Sequence, residues 1–222
     1  MKMKNVNLSK MERMAVLAFK NALRLHFDSI LLYKKGSAPS AYHMSILALE
    51  ELGKYEILDD FIYHSRIDGR FTPDQELEII KSIYNHRVKQ NCFVGFHIDY
   101  EYYSSKMIQE IFKGKMEMSK QNAAYVGLPR KNSMINLHGK IQSPFKIKSK
   151  VAEKQITLVN DTLLLLTLGF LKGTYAIDIL DLEKYLTMRL LNKLKRSWTI
   201  MRSRERRRFE ALNRLPNDDE DD

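Results

Sequence analysis

Long helices tolerate neither glycine nor proline in their interiors. Glycine loosens the backbone, and proline removes an N–H and clashes with the preceding turn. This chain of 222 residues holds only 9 glycines and 5 prolines. Gly114, Gly127, Pro129, Gly139 and Pro144 fall in one stretch, which leaves most of the remaining sequence free to form helices. The expected fold class is therefore all-α, a single-domain helical bundle. The length suits one domain with a sizeable core. The 11 methionines suit irregular helix–helix packing, because their side chains are flexible.

Apolar spacing places the helices. Met11, Ala15, Ala18, Ala22, Leu25, Ser29 and Leu32 recur at alternating steps of four and three, the stripe of a helix over residues 8–35. Its small residues offer a narrow seam, against which a second copy of the chain is expected to pack as a homodimer. Gly36 ends this helix. Pro39 opens a second, running to about His64. Thr72-Pro73-Asp74-Gln75 has the chemistry of a helix start, with a capping threonine, a proline in the first turn and a glutamine positioned to complete the box. The third helix is expected to reach about Phe93 and to continue past Gly95 into the aromatic stretch 96–103. Residues 114–148 read as a short helical piece near Lys120 followed by a long loop, with no convincing strand pair. A fifth helix covers 150–171. A sixth is expected as one long element over about 177–215.

Cys92 is the only cysteine, so no internal disulfide can form. That fits a reducing compartment, and a cytoplasmic location is expected. The start of the chain lacks the apolar core of a signal peptide. The longest apolar run, Leu163 to Leu171, is too short to span a bilayer. No membrane association is expected.

The net charge of +10 is unevenly spread. Between Lys184 and Arg214 stand eleven basic residues and two acidic ones, a net of +9, and Asp218 to Asp222 then add −5. A basic helix of this kind attracts nucleic acid or an acidic partner. Arg202, Arg204, Arg206, Arg207 and Arg208 are its candidate nucleic-acid contacts. The alternative is a solvated basic face partly neutralised by the acidic tail.

Two helices place polar groups on apolar stripes. Leu47, Glu51, Lys54 and Leu58 share one stripe, and Ile79, Ser82, His86, Lys89 and Phe93 share another. A charge facing a core needs a partner. If the helices face each other, Glu51 can pair with Lys89 or orient His86, either as an active site or as a network that fixes helix register. Tyr125 can bring a phenol near the same cluster or lie at the core edge. No histidine or cysteine has a second ligand at metal-binding spacing, and phosphate loops, dinucleotide glycine fingerprints and nucleophile elbows are absent. No metal and no cofactor is expected.

The ordered set Ala48-Leu49-Glu50-Glu51-Leu52-Gly53-Lys54, Asn85-His86-Arg87-Val88-Lys89 and Lys120-Gln121-Asn122-Ala123-Ala124-Tyr125-Val126, followed by Ser143-Pro144, resembles the AbiV family of bacterial abortive-infection proteins. The likeness covers about residues 17–160. It implies an HEPN-like helical domain, read here as residues 1–175; a basic helix at 176–215, packed on or projecting from that domain, and an acidic disordered tail at 216–222 are expected outside the likeness. It also implies dimerisation, and a defence role in which phage infection leads to shutdown of host growth through RNA or translation. Many HEPN proteins are metal-independent ribonucleases whose motif places an arginine before a histidine with four to six residues between. No pair here has that spacing; Arg130 and His138 have seven residues between them. The positions that match the family are Glu51, Lys54, His86, Lys89 and Tyr125. Two functions follow as expectations. In one, RNA is held on a basic surface, His86 is the general acid or base and Lys89 stabilises the developing anion. In the other, the protein is a non-enzymatic toxin that binds the ribosome or another translation component and is gated by a phage-encoded protein.

Overall fold

A computed structural model of the protein describes residues 8–67, 69, 71–97, 109, 111–128, 130–131, 134–175 and 179–215. The all-α expectation holds. The helices are α1 (Leu8–Lys34), α2 (Ala38–Ile67), α3 (Pro73–Tyr84), α4 (His86–His97), α5 (Lys115–Ala124), α6 (Ser149–Leu171), α7 (Met188–Ser197) and α8 (Ser203–Asn213). The acidic residues 218–222, and the aromatic stretch beyond His97, lie outside the described residues.

Helices α1 and α2 form a hairpin packed along its length. Gly36, at φ 81°, makes the link. Its N–H donates to Tyr33 and that of Ser37 to Leu32, the paired bonds that close a helix over a left-handed residue. The small-residue stripe of α1 is buried: Met11, Ala15, Ala18, Ala22, Leu25 and Ser29 all face the interior. The seam expected to receive a second copy is thus filled by the chain's own α2 and α6. Small side chains there let α2 come close.

Helix α2 is the centre of the fold. It contacts α1, α3, α4, α5 and α6 and buries residues on nearly every face. Tyr55 packs edge-on against Phe19, with ring centroids 5.6 Å apart. Helix α6 is similarly enclosed. Its buried Thr162 and Thr167 satisfy their hydroxyls on the carbonyls of Leu158 and Leu163, one turn back.

Three local expectations change. The third helix stops at Tyr84 instead of reaching Phe93, because Asn85 turns extended and its side-chain oxygen caps a new helix by accepting from the N–H groups of Arg87 and Val88. The long loop holds a two-residue antiparallel pairing, Arg130–Lys131 with Met134–Ile135, too small to alter the fold class. The single basic C-terminal helix is two helices, α7 and α8, both packed on α6. The break comes from tertiary bonds. Trp198 is buried and donates Nε1–H to Thr157 Oγ1 at 3.0 Å. Arg202 donates Nε–H to Asp161 Oδ2 at 2.7 Å, and its backbone N–H reaches the same oxygen. No described helix is long and apolar enough to cross a membrane.

Candidate functional site

The site grows from a close approach of α2 and α4. A Cβ on Gly53 would lie 2.0 Å from the carbonyl oxygen of Lys89, so only glycine lets the two backbones touch there. One turn earlier on α2, Glu50 faces α4 and α5 and is only 2% exposed. A buried carboxylate must be satisfied by donors. Gln90 Nε2 and Lys120 Nζ donate to Glu50 Oε1 at 2.7 and 2.8 Å. His86 Nδ1 donates to Oε2 at 2.6 Å. His86 and Gln90 are four residues apart on α4, so both fall on the face toward Glu50.

A second carboxylate, Glu117 of α5, extends the network. Its Oε2 accepts from Lys120 Nζ at 2.7 Å and from Gln90 at 3.2 Å, and its Oε1 accepts from Gln121. Burial alone would raise the carboxyl pKa, but the bonds from Lys120 and Gln121 hold it below the ordinary value. Glu50, His86 and Glu117 each offer a ligand atom within 4.8 Å of the others, a grouping that can hold a metal ion. The ammonium of Lys120 already bridges both carboxylates and supplies that positive charge.

His86 is the outlet of this network. Its side chain is 53% exposed, although its partner Glu50 is sealed. With Nδ1–H committed to a carboxylate, the tautomer leaves Nε2 as the free nitrogen. His86 lines a shallow cleft of about 650 Å³ together with Ile80, Lys81, Tyr84, Asn85, Arg87 and Glu117. Arg87 is steadied by a bond from Nη2 to the carbonyl of Phe112. An imidazole oriented by a buried carboxylate, beside two cations, has the layout of a general acid or base facing an anion. Cys92 is no rival nucleophile, since burial pushes its thiol up to about 12.

The residues singled out in the sequence separate. His86 is brought into the cleft. Lys89 is only 6% exposed and does not line it. Burial lowers the pKa of its ammonium, and Glu50 and Glu51 only partly offset this. Lys89, expected to stabilise an anion, is thus set back from the cleft, and Lys81 and Arg87 are the cations that line it. The carboxylate that orients His86 is Glu50, not Glu51, which is only partly buried. Lys54 holds its ammonium 6.0 Å from the ring centroid of Tyr84. Tyr125 is exposed and lines a neighbouring cleft with Glu117, Lys120 and His43. The basic set separates too. Arg202 is turned inward onto Asp161, Arg204 is half-buried, and Arg206, Arg207 and Arg208 are exposed.

Glu50, Gln90, Glu117, Lys120, Lys81, Arg87 and Tyr84 were not singled out from sequence. A local signal existed for two pairs: His86 with Gln90 at i,i+4 and Glu117 with Lys120 at i,i+3. No sequence signal separates Glu50 from Glu51 on a helix buried nearly all round.

The AbiV family model, of the HEPN group, matches residues 10–164. No curated protein and no solved structure matches the chain. The matched span runs from α1 into α6 and holds every residue of the Glu50 network and its cleft, while α7 and α8 lie beyond it. The chain belongs to the AbiV family, and its role is the family's, abortive-infection defence.

Proposed function

We propose that this protein carries out its defence role by acting on RNA, with His86 as the general acid–base group. The observation that carries this is the half-exposed imidazole held through Nδ1 by a sealed carboxylate, its other nitrogen left for a cleft with two cations. In the proposed reaction, His86 Nε2 takes the proton of a ribose 2′-hydroxyl. That oxygen attacks the adjacent phosphorus, the P–O5′ bond breaks, the 5′ oxygen takes a proton from solvent water, and His86 returns its proton to solvent. Lys81 and Arg87 offset the charge that builds on the phosphorus oxygens. The products are a 2′,3′-cyclic phosphate and a 5′-hydroxyl, and no metal takes part. The exposed Arg206, Arg207 and Arg208 of α8 add phosphate contacts away from the cleft. The setting is the cytoplasm of an infected cell.

The test is RNA integrity after phage infection of cells carrying the wild-type protein or His86→Ala. RNA fragments with cyclic phosphate ends, seen with the wild type and lost in a folded variant, support the reading. Intact RNA alongside full defence removes it.

A second reading, a non-enzymatic protein gated by a phage-encoded partner, is favoured by one surface. Tyr125, Val126, Leu137, Ile141 and Phe145 are all exposed, Phe145 at 91%. Apolar groups gathered on one loop mark a protein-binding surface. The same surface is where we place contact between two copies, since the α1 seam is filled. Replacing Phe145 and Leu137 by serine should then abolish defence and lower the mass in light scattering, while the purified wild-type chain cleaves no RNA.

A further inference from the structure

We propose that the cleft beside His86 seats an unpaired nucleotide, its base stacked on the Tyr84 ring and its phosphate held by Lys81 and Arg87. The inference rests on the RNA reading above and names the form of RNA that the site accepts. It starts from the break at Asn85. Because α3 ends there and α4 begins at once, the last turn of one helix and the first turn of the next open onto one cleft. The last turn contributes Ile80, Lys81 and Tyr84; the first contributes His86 and Arg87.

Tyr84 is 70% exposed, an unusual state for a large aromatic residue at the junction of two packed helices. The Lys54 ammonium, 6.0 Å from its centroid, adds positive charge at the same ring. An exposed aromatic ring flanked by cations is the pattern that binds single strands. Bases stack on the ring, and the cations follow the backbone. Ile80 extends the apolar floor. Lys81 is paired with Glu78 at 2.9 Å, but both partners are well exposed, and such a pair yields readily to a phosphate. Among the described residues that line the cleft Glu117 is the carboxylate, and it repels phosphate from its own side, which leaves the Lys81 and Arg87 side for the anion once Glu78 gives way.

This arrangement discriminates. In a duplex each base is already stacked above and below and cannot lie on Tyr84 without leaving its partner. Every base has a π-face, so the site tolerates all four. A flexible acidic peptide would be drawn by the same cations but gains nothing from the ring.

The test uses the full chain and a short fluorescein-labelled RNA of mixed sequence, single-stranded or annealed to its complement. The single strand should bind more tightly than the duplex. Tyr84→Ala should weaken single-strand binding about tenfold or more, Tyr84→Phe should retain it, and Lys81→Ala should weaken both forms and flatten the salt dependence. Tyr84→Trp gives a direct reading of stacking. The chain has one tryptophan, Trp198, which is buried, so the new exposed indole should be quenched by the single strand alone.

Equal binding of single strand and duplex, or unchanged affinity in a folded Tyr84→Ala, overturns the proposal while leaving His86-dependent cleavage intact. Tyr84-dependent single-strand binding without any cleavage overturns the catalytic reading and leaves this one standing. No RNA binding, or binding of a poly-glutamate peptide in its place, overturns both.

Discussion

Two histidines mark two kinds of polar site in this molecule. His26 lies where α1 meets α6, fully buried, and its Nε2–H donates to Asn160 Oδ1 at 3.0 Å. Burial lowers its pKa to about 4, the bond to Asn160 offsetting only part of that, so at neutral pH it is an uncharged strut. Beside it on α6, the sealed Asp161 takes Arg202 and fastens the C-terminal segment. His86 is also bonded to a group on another helix, and its partner Glu50 is as deeply buried as Asp161. Only His86 keeps one nitrogen for solvent. Burial of a polar group is shared by both regions and says little about function. What separates them is whether a ring nitrogen reaches a cleft with groups able to hold a substrate.

The sharpest way to break the comparison is to remove each buried carboxylate. Glu50→Ala takes one of two carboxylates from Lys120 and Gln90, which keep Glu117, and Asp161→Ala takes the shorter of two carboxylate contacts from Arg202, which keeps Glu205. Each should cost up to roughly 3 kcal/mol in denaturant unfolding, the range for removing one partner of a buried polar group. The two must then part. Glu50→Ala should also lose RNA cleavage per folded molecule, whereas Asp161→Ala should keep it. Equal activity in the two would erase the distinction between strut and site.

The next effect is pH dependence. His26 has a folded pKa of about 4 against an ordinary value of 6.5, so between these limits the unfolded chain binds more protons. Stability should therefore fall as pH drops from 6.5 towards 4, by up to about 3 kcal/mol, and level off below. Chemical denaturation across that window checks this. His26→Gln, which cannot titrate, should lose that part of the slope.

Gly53→Ala comes third. Its Cβ would meet the Lys89 carbonyl at 2.0 Å, so α4 must move. Overpacking of this kind costs roughly 1–3 kcal/mol. It should also displace His86 from Glu50 and reduce cleavage beyond what the lost stability explains. Arg208 reaches the buried Glu205 at 3.7 Å, so the smallest effect on stability belongs to Arg206 and Arg207. Their joint replacement by alanine should shift unfolding by only about 0.5 kcal/mol each or less, yet weaken RNA binding and flatten its salt dependence. A large loss of stability would make these residues part of the fold.

The sequence shows what is local. The Thr72 cap forms with the expected reciprocal bonds to Gln75, because the partners are three residues apart. The α1 stripe is the buried face, because period alone sets it. The structure diverges where distant residues decide. Trp198 and Arg202 break the basic helix by bonding to Thr157 and Asp161, some forty residues away. Asn85 ends α3 through its own side chain, a signal that was present but outweighed by the apolar stripe running through it. At the site, His86 is legible as a polar residue on an apolar stripe. Its partner was misplaced by one residue, because α2 is enclosed on nearly all sides and period cannot choose between adjacent glutamates. The cations of the cleft were missed because they stand on the exposed side of that stripe, where lysine and arginine are ordinary.

One measurement bears most directly on the claim that His86 is a working acid–base group and not a second strut. Purified wild-type and His86→Ala proteins would be compared in single-turnover cleavage of a single-stranded RNA, with fragment ends identified and folding checked by thermal melting. Cleavage to 2′,3′-cyclic phosphate ends that drops about 10²–10⁴-fold in a variant of unchanged melting temperature is the predicted result. Equal cleavage by the two proteins, or none by the wild type, would contradict it.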